Sequence, residues 1–224
     1  MKSKNDIGEM LKNAGILFAI TLIAGLALGF VYELTKEPIA YQQKLKIQRA
    51  CAAVFSDAAS FEETYLPLPE GYEYDPASSL ALEIPGLSDA LTYASEHGTE
   101  VGTVYQALSA QGELLGYVIN VTSKEGYGGE IALMLGVRMD GTLNGISILK
   151  IAETPGLGMQ AEDVLVPQFA DKQTESFSFT KTGATMESEI DAISGATVTT
   201  EAVTNAVNTG LYYFRSVLQE GGNR

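Results

Sequence analysis

The longest uncharged apolar run in the chain is AGILFAITLIAGLALGFVY, residues 14–32. A helix of that length crosses a hydrocarbon core of roughly 30 Å, so the pattern predicts a transmembrane helix over 14–34. The run is longer than the roughly 7 to 15 apolar residues of a cleaved signal, and no small-residue cleavage site follows it. Beyond Pro38, the residues Ile39, Leu45, Ile47 and Val54 recur at helical spacing among polar neighbours. This predicts an amphipathic juxtamembrane helix over 35–57, broken or bent at Pro38. The rest, 58–224, reads as one domain.

Within that domain the pattern changes to runs of strand type: VGTVYQAL, LLGYVINV, IALMLGVRM and TLNGISILK. Gln111-Gly112 separates the first pair and Asp140-Gly141 the second. An Asp-Gly pair between apolar runs predicts a two-residue hairpin of type I′, with positive φ at both central residues. Two such hairpins make an antiparallel sheet. Val203, Val207, Leu211, Phe214 and Leu218 then predict an amphipathic helix from about Glu201 to about Gln219, which packs on the sheet. The fold class is therefore α+β. Residues 66–90 hold four of the seven prolines and read as an irregular connector.

Charge narrows the partners. The net charge is −14, yet residues 1–50 carry seven of the 14 Lys+Arg against only Asp6, Glu9, Glu33 and Glu37. The remainder has seven cations against 24 acids, and so acidic a body repels nucleic acid and anionic lipid headgroups. Lys2, Lys4 and Lys12 precede the apolar run, whereas Glu33, Lys36 and Glu37 follow it. The positive-inside bias places residues 1–13 in the cytoplasm and the large domain outside the cell, although Lys44, Lys46 and Arg49 blunt it. One cysteine, Cys51, and one histidine, His97, provide neither a disulfide nor a histidine-rich metal centre. Cys51 reads as a buried or half-buried thiol and His97 as an exposed turn residue.

Three strings carry candidate chemistry. Asp191-Ala192-Ile193-Ser194-Gly195-Ala196-Thr197-Val198-Thr199-Thr200 sits just before the C-terminal helix. Its small residues leave room around the Thr197 hydroxyl, and a helix start stabilises a phosphate. The same string also reads as a plain turn with Thr199 or Thr200 as helix cap. Gly126-Tyr127-Gly128-Gly129 and Glu153-Thr154-Pro155-Gly156-Leu157-Gly158 are loops whose glycines let backbone approach a flat ring. Tyr127 could stack on such a ring or pack in the core, and the second loop also reads as a simple proline-glycine turn.

DAISGAT resembles the flavinylation motif, in which an Asp, two variable residues, Ser or Thr, Gly and Ala precede an acceptor Thr. Together with the two glycine-containing loops and Leu34-Thr35-Lys36-Glu37-Pro38-Ile39, it makes the chain resemble the G subunits of Rnf ion-translocating electron-transport complexes. That resemblance implies an FMN-binding domain with FMN bound covalently through a phosphoester to Thr197, placed there from FAD by a flavin transferase. Ser194, Gly195 and Ala196 would be its tight surroundings and Asp191 part of the recognition sequence. Tyr127, Gly128, Gly129, Glu153, Thr154, Gly156, Leu157 and Gly158 would line the flavin. The implied role is electron relay among membrane subunits of a ferredoxin:NAD oxidoreductase, with no catalytic acid or base and no metal of its own. Thr182-Gly183-Ala184-Thr185 repeats the end of the motif with Phe179 in place of the Asp, so Thr185 is expected to stay unmodified. The alternatives are the related C-type component of the sodium-pumping NADH:quinone reductase, or a membrane-tethered binding or assembly domain without flavin.

Overall fold

The computed structural model describes residues 3–64 and 84–219, with side chains from residue 8 onward. The chain forms two units that meet in sequence between Lys46 and Ile47. The first is helical: α1 runs over Ser3–Val54, through Pro38 without interruption, and its last eight residues belong to the second unit. Thr21 and Thr35 turn their hydroxyls back onto the helix, donating to the carbonyls of Leu17 and Val31. Every large apolar side chain from Met10 to Tyr41 is exposed on this helix, which is long and apolar enough to cross a membrane. Apolar surface so extensive is stable when lipid covers it.

The second unit is built on a five-stranded antiparallel meander: β1 (Ser60–Glu63), β2 (Thr99–Leu108), β3 (Leu114–Ser123), β4 (Ile131–Arg138) and β5 (Leu143–Lys150). Both faces are covered. Period-two alternation sends Ile131, Leu133, Leu135 and Val137 of β4 to one side, and Met134 to the other. The first side carries the C-terminal helix α4 (Thr197–Tyr213), and the second packs against Ala50, Cys51, Val54 and Phe55. In β2 a register shift between Val101 and Val104 puts both of these valines on the α4 side.

The hairpins stand where the sequence places them, but their turns are not type I′. Gly141 is at φ +87 and Asp140 is not at positive φ. The Gly141 N–H donates to the Arg138 carbonyl, and the Arg138 N–H donates to the Thr142 carbonyl, both at 2.9 Å. The loop is thus a turn closed by a left-handed glycine, the glycine-bulge hairpin. Gly112 does the same at φ +80. In both loops one glycine suffices, because only one position needs the left-handed conformation.

Of the connector over 66–90, residues 66–83 lie outside the described part. From Pro85-Gly86 the chain turns into helix α2 (Leu87–Glu96), which contributes Leu87, Ala90 and Leu91 to the core. His97 ends this helix half-buried, not exposed, stacked on Tyr93 with ring centroids 4.1 Å apart. After β5 the chain passes through short helical turns, including α3 (Ala161–Val164), to a parallel pair, β6 (Ser178–Thr180) and β7 (Glu189–Asp191). Asn208 of α4 accepts the Phe177 N–H at 2.7 Å and donates to the Phe177 carbonyl at 2.9 Å, fixing the segment before β6 to α4. Beyond Tyr213 the helix widens into a π-helical stretch, Phe214–Gln219. Burying Val203, Val207, Leu211 and Phe214 contributes about 1.5 to 3 kcal/mol each.

Candidate functional site

The turn before α4 is held from inside. The Ala196 N–H donates to the Ile193 carbonyl at 3.0 Å, with Gly195 at φ +78 between them. A side chain at that conformation would be strained, which accounts for glycine there. The hydroxyl of Thr200, fully buried, donates to the Ala196 carbonyl at 3.0 Å and accepts from the Ile193 N–H at 3.1 Å. One buried threonine thus ties both ends of the turn.

The helix itself begins at Thr197, four residues before Glu201, so Thr197 is its first residue and does not precede it. Ala196 occupies the cap position, and among the described residues no side-chain hydrogen bond caps the first turn. Neither Thr199 nor Thr200 is a cap; both lie inside the helix. Thr197 is half-buried, and its hydroxyl has no hydrogen-bond partner among the described residues. Ser194 and Gly195 are exposed, and Ala196 is buried.

A single carboxylate joins this turn to the two glycine-containing loops. Glu153, 6% exposed, accepts from the Thr199 hydroxyl through Oε2 at 3.0 Å and from the Gly128 N–H through Oε1 at 3.2 Å. A methyl group on Gly158 would lie 2.5 Å from Thr199 Oγ1 and 2.7 Å from Glu153 Cβ. One on Gly128 would run into the Ala152 carbonyl oxygen, and one on Gly126 into the Gly129 carbonyl oxygen. Absent side chains therefore create the close packing. Thr154 accepts the Leu157 N–H at its carbonyl at 3.1 Å, closing a turn with Pro155 second and Gly156 third, at φ +76. The proline-glycine turn and the buried Glu153 are thus both present.

The segments joined at this buried post expose several apolar side chains. Tyr127 is 76% exposed, so it is no packing aromatic, and Leu157, Met159 and Val198 are exposed on the other two segments that meet at Glu153. A methyl group on Gly195 would touch Leu157 Cδ2 at 3.2 Å, so the acceptor turn and the Glu153 loop are neighbours. Gly129, at φ +134, is exposed.

Asp191 faces elsewhere. Its Oδ1 accepts from the Ala184 N–H at 2.7 Å, while Gln168 brackets its backbone, accepting its N–H at 2.7 Å and donating to its carbonyl at 3.1 Å. The second Gly-Ala-Thr string is therefore anchored on Asp191. The N–H and hydroxyl of Thr185 both donate to Glu189 Oε2, at 3.0 and 3.1 Å. The Thr185 N–H, with its hydroxyl, holds the Glu189 carboxyl below its usual range. The sequence pattern singles out none of Thr199, Gln168 and Glu189 for these parts. Thr199 lies within the acceptor string, and nothing local in the sequence marks the other two.

An apolar helix long enough to cross a membrane, followed by an α+β domain whose glycine-containing loops meet at a helix start, is the make-up of a membrane-anchored ligand-binding module. Residues 126–212 match the family model of the FMN-binding domain, and residues 1–54 match that of the RnfG N-terminal region. The chain is 32% identical over 208 residues, 90% of each chain, to the G subunit of the Na+-translocating ferredoxin:NAD+ oxidoreductase complex of Acetobacterium woodii. It is 30% identical, over 92% of this chain and 90% of the other, to the G subunit of the proton-translocating ferredoxin:NAD+ oxidoreductase complex of Clostridium ljungdahlii. The corresponding protein of the Methanosarcina acetivorans ion-translocating oxidoreductase complex is 27% identical, with 97% and 100% covered. The C-type component of the Na+-translocating NADH-quinone reductase of Parabacteroides distasonis superposes with a TM-score of 0.45 at 21% identity, over 71% of this chain and 77% of that one. This chain belongs to the family of G subunits of ion-translocating oxidoreductase complexes of the Rnf type, and it carries their FMN-binding domain.

Proposed function

We propose that this chain carries electrons within an Rnf-type membrane complex, holding FMN through a phosphoester to the hydroxyl of Thr197 that a flavin transferase installs from FAD. The observation carrying this reading is the position of Thr197: first residue of α4, half-buried, its hydroxyl without a partner among the described residues, beside N–H groups that no side chain caps. A helix start of this kind stabilises a phosphate through its free N–H groups and its dipole. The residues present fit the group. Thr197 would anchor it, the first turn of α4 would hold the phosphate, and Tyr127, Leu157, Met159 and Val198 would offer apolar surface to the ring, with Gly128 and Gly158 keeping the backbone close.

Bound there, FMN supplies transfer of electrons singly or in pairs. The chain's own residues fix its place and its electrical surroundings, and no side chain needs to act as acid or base. The partners are the other membrane subunits of the complex, reached through a single-pass anchor. Lys2, Lys4 and Lys12 on the near side support a cytoplasmic N-terminus with residues 58–224 outside the cell. A covalent tether suits that side, because a dissociable cofactor would be lost by dilution.

Intact mass of the chain made together with an active flavin transferase tests the reading. One added FMN residue and in-gel flavin fluorescence are expected, both lost in Thr197→Ala. Retention of flavin by that variant would overturn the assignment.

A further inference from the structure

Glu153 is a buried carboxylate with no cation paired to it among the described residues. The ion pairs among the described residues are Lys124 with Glu100, Arg138 with Asp57 and Lys150 with Glu130, all at the surface and none involving Glu153. Both of its oxygens accept hydrogen bonds, from the Thr199 hydroxyl and from the Gly128 N–H. An N–H and a hydroxyl aimed at its two oxygens, with no acceptor facing either among the described residues, suit a charged carboxylate. What compensates the charge is that pair of donors and the positive end of α4, in which Thr199 is the third residue.

The three segments proposed to hold the flavin are those that Glu153 joins: the loop at Gly128, its own loop up to Gly158, and the first turn of α4. Resting on the flavin-carrier reading, we infer that Glu153 is a positioning residue that clamps the acceptor turn to the glycine loop, and that its fixed charge holds the midpoint potential of the bound flavin down. The physical reason is direct. Each electron accepted adds negative charge to the group, and a neighbouring carboxylate in a poorly solvated setting opposes that addition. In a titration the electron comes from the reductant, dithionite through mediators, and the flavin is the group reduced.

Two substitutions separate the clamp from the charge. In Glu153→Gln the side-chain carbonyl still accepts the Gly128 N–H, and the amide donates to Thr199 Oγ1, so the clamp survives without its charge. Both the unaltered chain and each variant are made full length with an active transferase, and flavin per chain and midpoint potential are measured. Glu153→Gln is expected to carry as much flavin as the unaltered chain, at a midpoint potential shifted to more positive values. Glu153→Ala removes clamp and charge together, and flavin per chain is expected to fall several-fold. Equal potentials for the unaltered chain and Glu153→Gln, a Gln variant that takes no flavin, or full incorporation by Glu153→Ala would each overturn the inference while leaving the carrier reading intact. An unaltered chain that stays without flavin overturns both.

Discussion

The hydroxyl of Thr199 donates to Oε2 of Glu153 at 3.0 Å in a buried setting, whereas the hydroxyl of Thr197, two residues earlier, has no partner among the described residues. The same side chain is thus engaged at one position and unpartnered, among the described residues, at another within one helical turn. Thr199→Val leaves a buried carboxylate oxygen without its donor, which costs about 1 to 3 kcal/mol. Thr197→Val breaks no such bond and should stay within about 0.5 kcal/mol of the unaltered chain. Denaturant unfolding of the two variants checks the contrast, and equal losses would contradict it.

Two glycines in one loop should respond to alanine for different reasons. A methyl group at Gly158 meets Thr199 Oγ1 and Glu153 Cβ at 2.5 and 2.7 Å, so Gly158→Ala forces the Glu153 post to shift and should cost about 1 to 3 kcal/mol. Gly156 has open space around it but stands at φ +76, so Gly156→Ala should cost about 1 to 2 kcal/mol through backbone strain alone. Thermal unfolding measures both. Only Gly158→Ala should also disturb flavin loading, because only it displaces the residues beside the acceptor turn.

Cys51 provides a pH test of the core on the other face of the sheet. It is 1% exposed, and burial raises its thiol pKa from 9.0 to about 11. A neutral acid whose folded pKa is raised contributes stability that is fully present below the unfolded value and is lost as pH rises through the folded one. That contribution should therefore fade between about pH 9 and pH 11. At a pH about one unit below that window the native thiol should resist a disulfide reagent and react only on unfolding. Rapid reaction of native protein under those conditions would contradict the burial.

The second unit contains its own core, in which Phe55 and the last turn of α1 pack on Ala107, Val118 and Met134. Asn144 donates to the Val54 carbonyl at 3.0 Å and accepts from Arg138 Nε at 2.6 Å, so the end of α1 is capped from β5 and β4. A chain starting at Ile47 should therefore fold and stay in the soluble fraction, whereas one starting after Phe55 should lose that layer. Circular dichroism and sedimentation of the two truncations check this.

Much of this architecture is legible in the residues, and the reasons differ by element. The anchor declares itself by an uncharged run, and the four long strands by alternation and glycine turns, because these signals are local. The type I′ expectation fails because Asp140 does not need positive φ when Gly141 alone supplies the bend. Apolar spacing starts α4 too late, because Thr197 and Val198 lie off its buried face, while Thr199 and Thr200 continue that face with polar side chains. Their place in the helix follows from bonds to Glu153 and to the turn at Ile193, which are contacts between distant or buried groups. Helix α2 is spelled out by Leu87, Ala90, Leu91 and Ala94 at helical spacing, a short pattern hidden beside the proline-rich connector, whereas the three-residue strands β6 and β7 leave no comparable local signal. The Thr197 string is recognisable through its resemblance to a modification motif. That its Thr197 hydroxyl stands without a partner among the described residues while Thr199 and Thr200 are engaged emerges only in three dimensions.

Whether Thr197 alone receives the flavin is decided by peptide mapping with mass spectrometry on the full chain, made with an active flavin transferase. An FMN phosphoester is expected on Thr197, with Thr185, Thr199 and Thr200 unmodified. Flavin on any of those three, or a chain left unmodified throughout, would contradict the proposed attachment.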